Sequence, residues 1–175
     1  MSGPADIWVQ TADTFDQHLA AVTDDQWAAG SPCTEWTVRE LVDHAVGAQR
    51  QLGGLFGASV EEGADWATVR SAFQTAIADP ANLEGNAPPQ VFGGMPKHQV
   101  LGIAVGDLLL HAWDLARAIG ADETLPAAAV QAVYMGFQRM PEPMLRSTGM
   151  FGAAIEVADD ASEQDKLLAF TGRQP

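Results

Sequence analysis

The stretch Gly106-Asp-Leu-Leu-Leu-His-Ala-Trp-Asp-Leu-Ala-Arg-Ala-Ile-Gly120 constrains the fold more than any other part of the chain. Read as a helix at about 100° per residue, it gathers Asp107, His111 and Asp114 into a sector of about 60°. Leu101, Val105, Leu108, Leu109, Leu115 and Ala116 cover most of the remaining circumference. A helix apolar nearly all round is a buried one, and a buried carboxylate without a partner takes up a proton or finds a cation. The segment therefore demands a core packed around it and a partner for its charges. For Asp and His four residues apart, on one helix face, the obvious cation is a divalent metal. An ordinary ion pair or hydrogen bond is the competing account, because Asp-x-x-x-His on a helix is common by chance.

The rest of the chain supplies helices to bury this one. Trp8, Ala12, Phe15, Leu19 and Val22 step by four and three, giving an amphipathic helix from about Ala5 to Val22. Trp27 reads as an aromatic plug on the core in the turn that follows. Thr37-Val-Arg-Glu40 has the form of a capping box and starts a second helix. Its core stripe is Val38, Leu41, Ala45, Ala48, Leu52 and Leu55, widened by Val42 and Val46. Asp65 caps a third helix through Trp66, Val69, Phe73, Ala76 and Ile77, stopped by Asp79-Pro80. Residues 81 to 96, rich in Pro, Gly and Asn, form a long connection that either covers a pocket or merely crosses the surface. A fourth helix spans Lys97 to Ile119 and ends at Gly120. A fifth opens at Pro126 and is stopped by Pro141 and Pro143. Met150 to Val157 reads as a short extended stretch, and Ser162 caps a last short helix ending at Gly172. The expected architecture is all-α: one domain over residues 1–175, a four-helix bundle with short C-terminal helices added.

Charge and cysteine content remove several functions. With 9 Lys+Arg against 23 Asp+Glu the net charge is -14, so nucleic acid and anionic membranes are not expected partners. A single cysteine excludes an intramolecular disulfide and the paired-Cys zinc patterns. The first residues lack the basic and apolar regions of a secretion signal, and the best apolar run is broken at Asp107, short of a membrane span. A cytoplasmic location is the default. No nucleophile elbow, phosphate-cradling loop or dinucleotide fingerprint is present.

A catalytic zinc-type site needs three protein ligands and an open position. Asp107 and His111 provide two from one helix, and His44, on the edge of the second helix's core face, is the best-placed third. Asp114 reads as a fourth ligand, an acceptor orienting a ligand histidine, or the partner of Arg117 at i+3. His18 lies beside the stripe of the first helix and is expected to be solvated or locally hydrogen-bonded. His98 is expected to be exposed. Cys33 precedes a helix start, which can lower a thiol pKa, yet with no histidine near it in sequence a small packed residue is the better reading.

Trp27, the run from Ser31-Pro-Cys-Thr-Glu-Trp to His44, and Asp107 to Gly120 together resemble actinobacterial metal-binding proteins related to the N-terminal domain of mycothiol-dependent maleylpyruvate isomerase. These belong to the wider DinB/YfiT-like metalloenzyme superfamily. The ending, from Phe151-Gly-Ala-Ala-Ile-Glu-Val to Arg173, is similar as well. The resemblance implies a four-helix bundle and a divalent metal on His44, Asp107 and His111. In the isomerase the acidic ligand is a glutamate, one methylene longer than Asp107. The isomerase also carries a further C-terminal domain that contributes to its active site, so its reaction does not carry over. What the resemblance implies is a transferase or isomerase in which a small thiol such as mycothiol, deprotonated at the metal, attacks an electrophilic substrate. A non-catalytic metal or small-ligand binding module and a hydrolase using metal-bound water are the alternatives. Zinc is the default metal for this donor set, with nickel or iron next; a homodimer is left open.

Overall fold

The computed structural model describes residues 3–33, 35–140 and 151–175. Six α-helices run through them: α1 Pro4–Ala21, α2 Val38–Gly54, α3 Trp66–Ala78, α4 Lys97–Ile119, α5 Ala127–Gln138 and α6 Glu163–Phe170. No strand occurs among the described residues. The fold is all-α, a DinB-like bundle in which α4 packs against α1, α2 and α5 while α3 joins α2 to α1. The last two helices pack on each other as additions to the four-helix core.

Local sequence sets the helix ends. At the start of α2 the Thr37 hydroxyl accepts from Glu40 N at 3.3 Å, and Glu40 Oε2 accepts from Thr37 N at 2.8 Å. These reciprocal bonds satisfy backbone donors that the first turn leaves free. Asp65 accepts from Thr68 N at 2.9 Å and caps α3. Gly120 ends α4 in the left-handed region, at φ 70°. The expected stop of α5 at Pro141 and Pro143 lies outside the described residues. Residues 151–157 form no strand; the backbone of this stretch is tied to α6 by a bond from Ile155 N to Ala169 O of 2.9 Å.

The core is continuous across the helices. Trp8 and Phe15 of α1, Leu41 of α2, Phe73 and Ile77 of α3, and Leu101, Leu108, Leu109 and Leu115 of α4 are almost wholly buried. Each such side chain contributes about 1.5–3 kcal/mol by leaving water. Trp27 is only partly buried, packed on this core with Arg39 over its ring. The helix at the centre runs unbroken through Asp107 for 23 residues. By length and composition it could therefore cross a membrane, contrary to the expectation from sequence, but 78% of its most apolar window is buried inside the bundle.

One expectation needs correction. His18 is neither solvated nor locally bonded: it is 7% exposed, and its Nδ1 lies 2.9 Å from the Ala112 carbonyl of α4. The long connection after α3, read from sequence as either a pocket cover or a plain surface crossing, is bonded to itself. Backbone bonds from Ala87 N to Met95 O (2.9 Å) and from Lys97 N to Gly85 O (3.0 Å) pin its two limbs together. Among the described residues no hydrogen bond, ion pair or ring contact joins residues 88–95 to His44, Asp107 or His111.

Candidate functional site

Packing α2 against α4 brings His44 to Asp107 and His111. A donor atom from each lies within 4.8 Å of the other two. The imidazoles of His44 and His111 meet nearly edge to face, with centroids 5.0 Å apart. Trp36, in the segment just before α2, packs against His44 at 4.6 Å and reaches His111 at 6.3 Å. His44 is on the exposed side of the cluster and His111 on the buried side. The site thus has a wet mouth and a dry floor.

Each donor is differently held. Among the described residues neither ring nitrogen of His44 makes a hydrogen bond; its contacts are the two rings. Burial and the adjacent His111 keep its imidazole below the ordinary value of 6.5, with Asp107 pulling the other way. Asp107 offers Oδ1, 3.7 Å from His111 Nε2, while its Oδ2 accepts from Gln49 Nε2 at 3.1 Å. His111 Nδ1 lies 3.2 Å from Asp114 Oδ2.

Asp114 is 1% exposed and accepts four contacts. Arg173 grips it with both arms, Nε to Oδ1 at 2.8 Å and Nη2 to Oδ2 at 2.7 Å. The Cys33 thiol donates to Oδ2 at 3.2 Å, and His111 is the third partner and makes the fourth contact. Burial alone would raise the Asp114 pKa, but the bonds from His111 and Arg173 outweigh it and hold the carboxyl at about 2. An ionised carboxylate only accepts, so His111 Nδ1 carries a proton toward Asp114 and Nε2 is the nitrogen that faces Asp107. Of the three readings open for Asp114, the pairing with Arg117 does not form. Arg117 pairs instead with Glu123, Nε to Oε1 at 2.9 Å and Nη2 to Oε2 at 2.7 Å.

Cys33 has a histidine beside it in space, though not in sequence: its Sγ is 3.9 Å from His111 Nδ1. Proximity does not activate the thiol. Burial and the neighbouring Asp114 charge push it up to about 12, so it stays protonated at neutral pH. Cys33, His111 and Asp114 form a second cluster of donors, but Arg173 already neutralises this one. His98 is exposed and belongs to neither. An open groove of about 970 Å³ runs along α3 past Ser71, Thr75 and Asn82, and none of the cluster residues lines it.

Arg173 and Gln49 were not singled out from the sequence. Gln49 had a signal: it lies four residues after Ala45 on the apolar face of α2, where a polar side chain must find a buried partner. Arg173 had none beyond its place at the end of a similar C-terminal segment. It is delivered there by Gly172, at φ 81°, where an added Cβ would meet Gly152 Cα at 2.9 Å.

The all-α bundle, with histidines of α2 and α4 in ring contact, is a DinB-like helical domain. More particularly, the chain belongs to the mycothiol maleylpyruvate isomerase N-terminal domain family. The family model matches residues 8–92, which includes His44 and ends before α4. Similarity to individual proteins extends further. Uncharacterized protein Rv0738 and Uncharacterized protein MT0763, from two strains of Mycobacterium tuberculosis, are each 31% identical over 177 residues, spanning 92% of this chain and 92% of their own length. No solved structure matches the chain at a significant level.

Proposed function

We propose that this protein holds a divalent cation, zinc first among the choices, on His44, Asp107 and His111, and uses it with a small thiol such as mycothiol in a transferase or isomerase reaction. The observation that carries the reading is the convergence of three donors of the right kinds from two helices. Asp107 Oδ1 and His111 Nε2, 3.7 Å apart, are near the edge of about 3.4 Å that bonds of about 2.1 Å imply for a tetrahedral site. Nitrogen and oxygen donors of this kind suit zinc, with nickel and iron as neighbours in preference.

A bound cation would supply Lewis-acid stabilisation of a thiolate at neutral pH. The protein's own groups do the rest. Asp114 and Arg173 fix the tautomer and aim of His111 from behind. Trp36 walls one side of the mouth, and the exposed ring of His44 leaves the other side open to an incoming molecule. Cys33 does not compete as nucleophile, because its proton is committed to Asp114 on the far side of the His111 ring. The thiol must therefore come from outside. Maleylpyruvate belongs to the family's name and is not proposed as the substrate.

Metal analysis of the dialysed protein tests the site. About one equivalent is expected in the wild type and a clear loss in His44→Ala and His111→Ala; equal content in all three sinks the proposal. Addition of mycothiol to the cobalt-loaded protein then tests the thiol. A sulfur-to-cobalt charge-transfer band that is absent in His111→Ala is the expected result, and turnover that ignores added thiol would favour hydrolysis.

A further inference from the structure

The one carboxylate of the site is not left to choose its own orientation. Asp107 belongs to α4, and its Oδ2 accepts from Gln49 Nε2, 3.1 Å away on α2. Gln49 is itself wholly buried. Its second amide hydrogen goes to the Ala104 carbonyl at 3.1 Å, and its Oε1 accepts from Trp8 Nε1 of α1 at 3.0 Å.

These partners determine which way the amide faces. An indole N–H can only donate, so Gln49 Oε1 must point at Trp8. A peptide carbonyl can only accept, so Nε2 must point at Ala104, and its remaining hydrogen falls on Asp107. A flipped amide would set N–H against N–H and oxygen against oxygen in a dry interior, where unmade bonds are expensive. The chain Trp8 to Gln49 to Asp107 thus has one polarity and crosses three helices.

We infer that Gln49 is a positioning residue for the metal centre: it occupies Oδ2 of Asp107 and presents Oδ1 alone toward His111 and His44. This inference rests on the reading of that cluster as a cation site. It also accounts for how a short Asp side chain can serve. An aspartate anchored through one oxygen offers the other at a fixed place, and a one-oxygen carboxylate fits the low coordination number of zinc more closely than a two-oxygen one. Groups that orient a ligand carboxylate from behind commonly change metal affinity by about 10- to 100-fold when removed.

The test uses the full chain as wild type, Gln49→Met and Trp8→Phe, each checked for helicity and unfolding midpoint. Cobalt(II) titration followed by visible absorption is expected to show Gln49→Met binding about 10- to 100-fold more weakly, with altered ligand-field bands. Trp8→Phe keeps Gln49 but frees its amide to turn, so a smaller loss with the same spectral change is expected. Unchanged affinity and spectrum in Gln49→Met, beside a loss in His111→Ala, would overturn the role of Gln49 and keep the cation site. If wild type and His111→Ala bind cobalt equally poorly, the cation reading fails, and a metal-free crystal structure of Gln49→Met decides the positioning role. There a displaced or multiply placed Asp107 carboxylate supports the role, and an unmoved one overturns it.

Discussion

His111 has one nitrogen to offer because Asp114 occupies the other. That division of labour depends on Asp114 being ionised inside the bundle, and the bonds from His111 and Arg173 keep it so. The consequence is measurable as acid sensitivity. The folded carboxyl titrates at about 2, below its ordinary value of 3.8. A depressed carboxylate contributes stability that is complete above the unfolded value and disappears as the pH falls through the folded one. Protein stripped of metal by a chelator is therefore expected to lose about 2 kcal/mol through this one group as the pH falls from about 5 to about 2. In Arg173→Met the His111 bond remains but the guanidinium's share of the depression is gone, so the slope of unfolding free energy against pH over that interval should flatten in part. Urea titrations at a series of pH values would show it; identical slopes would mean that Asp114 draws its charge stabilisation from elsewhere.

Helix boundaries obey rules that act within a few residues, which is why α2, α3 and α4 could be read from sequence while several partners could not. Thr37 and Glu40 announce α2 because the donors they satisfy are three residues away. His18 meets Ala112 and Gln49 meets Asp107, pairs 94 and 58 residues apart in the chain. No local pattern encodes those distances. A polar residue on an apolar stripe does signal that some buried partner exists, and Gln49 carried that signal while His18, beside its stripe, did not. His44, Asp107 and His111 were readable for a related reason: helical periodicity put Asp107 and His111 on one face of α4 and His44 at the edge of the core face of α2. Asp114 was readable as a support and not as the partner of Arg173, because Arg117 at i+3 was the nearer candidate and Glu123 takes it. The capping box also gives a test of how far end effects travel. Thr37→Ala is expected to lower stability by about 1 kcal/mol and to leave metal affinity within about two-fold, since His44 lies well inside α2. A large affinity loss at unchanged fold would mean that the first turn of α2, with Trp36 before it, sets the histidine's position directly.

Across the molecule, the site is assembled from both ends of the chain. α1 reaches it through Trp8 and Gln49, and the C-terminal segment beyond α6 returns to place Arg173 against Asp114, 59 residues earlier. The pair is buried, with side chains 14% and 1% exposed. Attraction between such charges roughly offsets the loss of their hydration, but removal of one leaves the other stranded. Arg173→Met alone is thus expected to destabilise by about 3–5 kcal/mol, and Asp114→Asn alone by a similar amount. The double variant should lose clearly less than the sum, because neither charge is then unpaired. Denaturant midpoints of the four proteins complete the cycle. Additive losses would show that the C-terminal segment is held by its apolar contacts and that Arg173 is incidental to it. Strong coupling would make the last residues of the chain part of the floor under His111, so that truncation before Arg173 should weaken metal binding while the helices of the bundle stay folded.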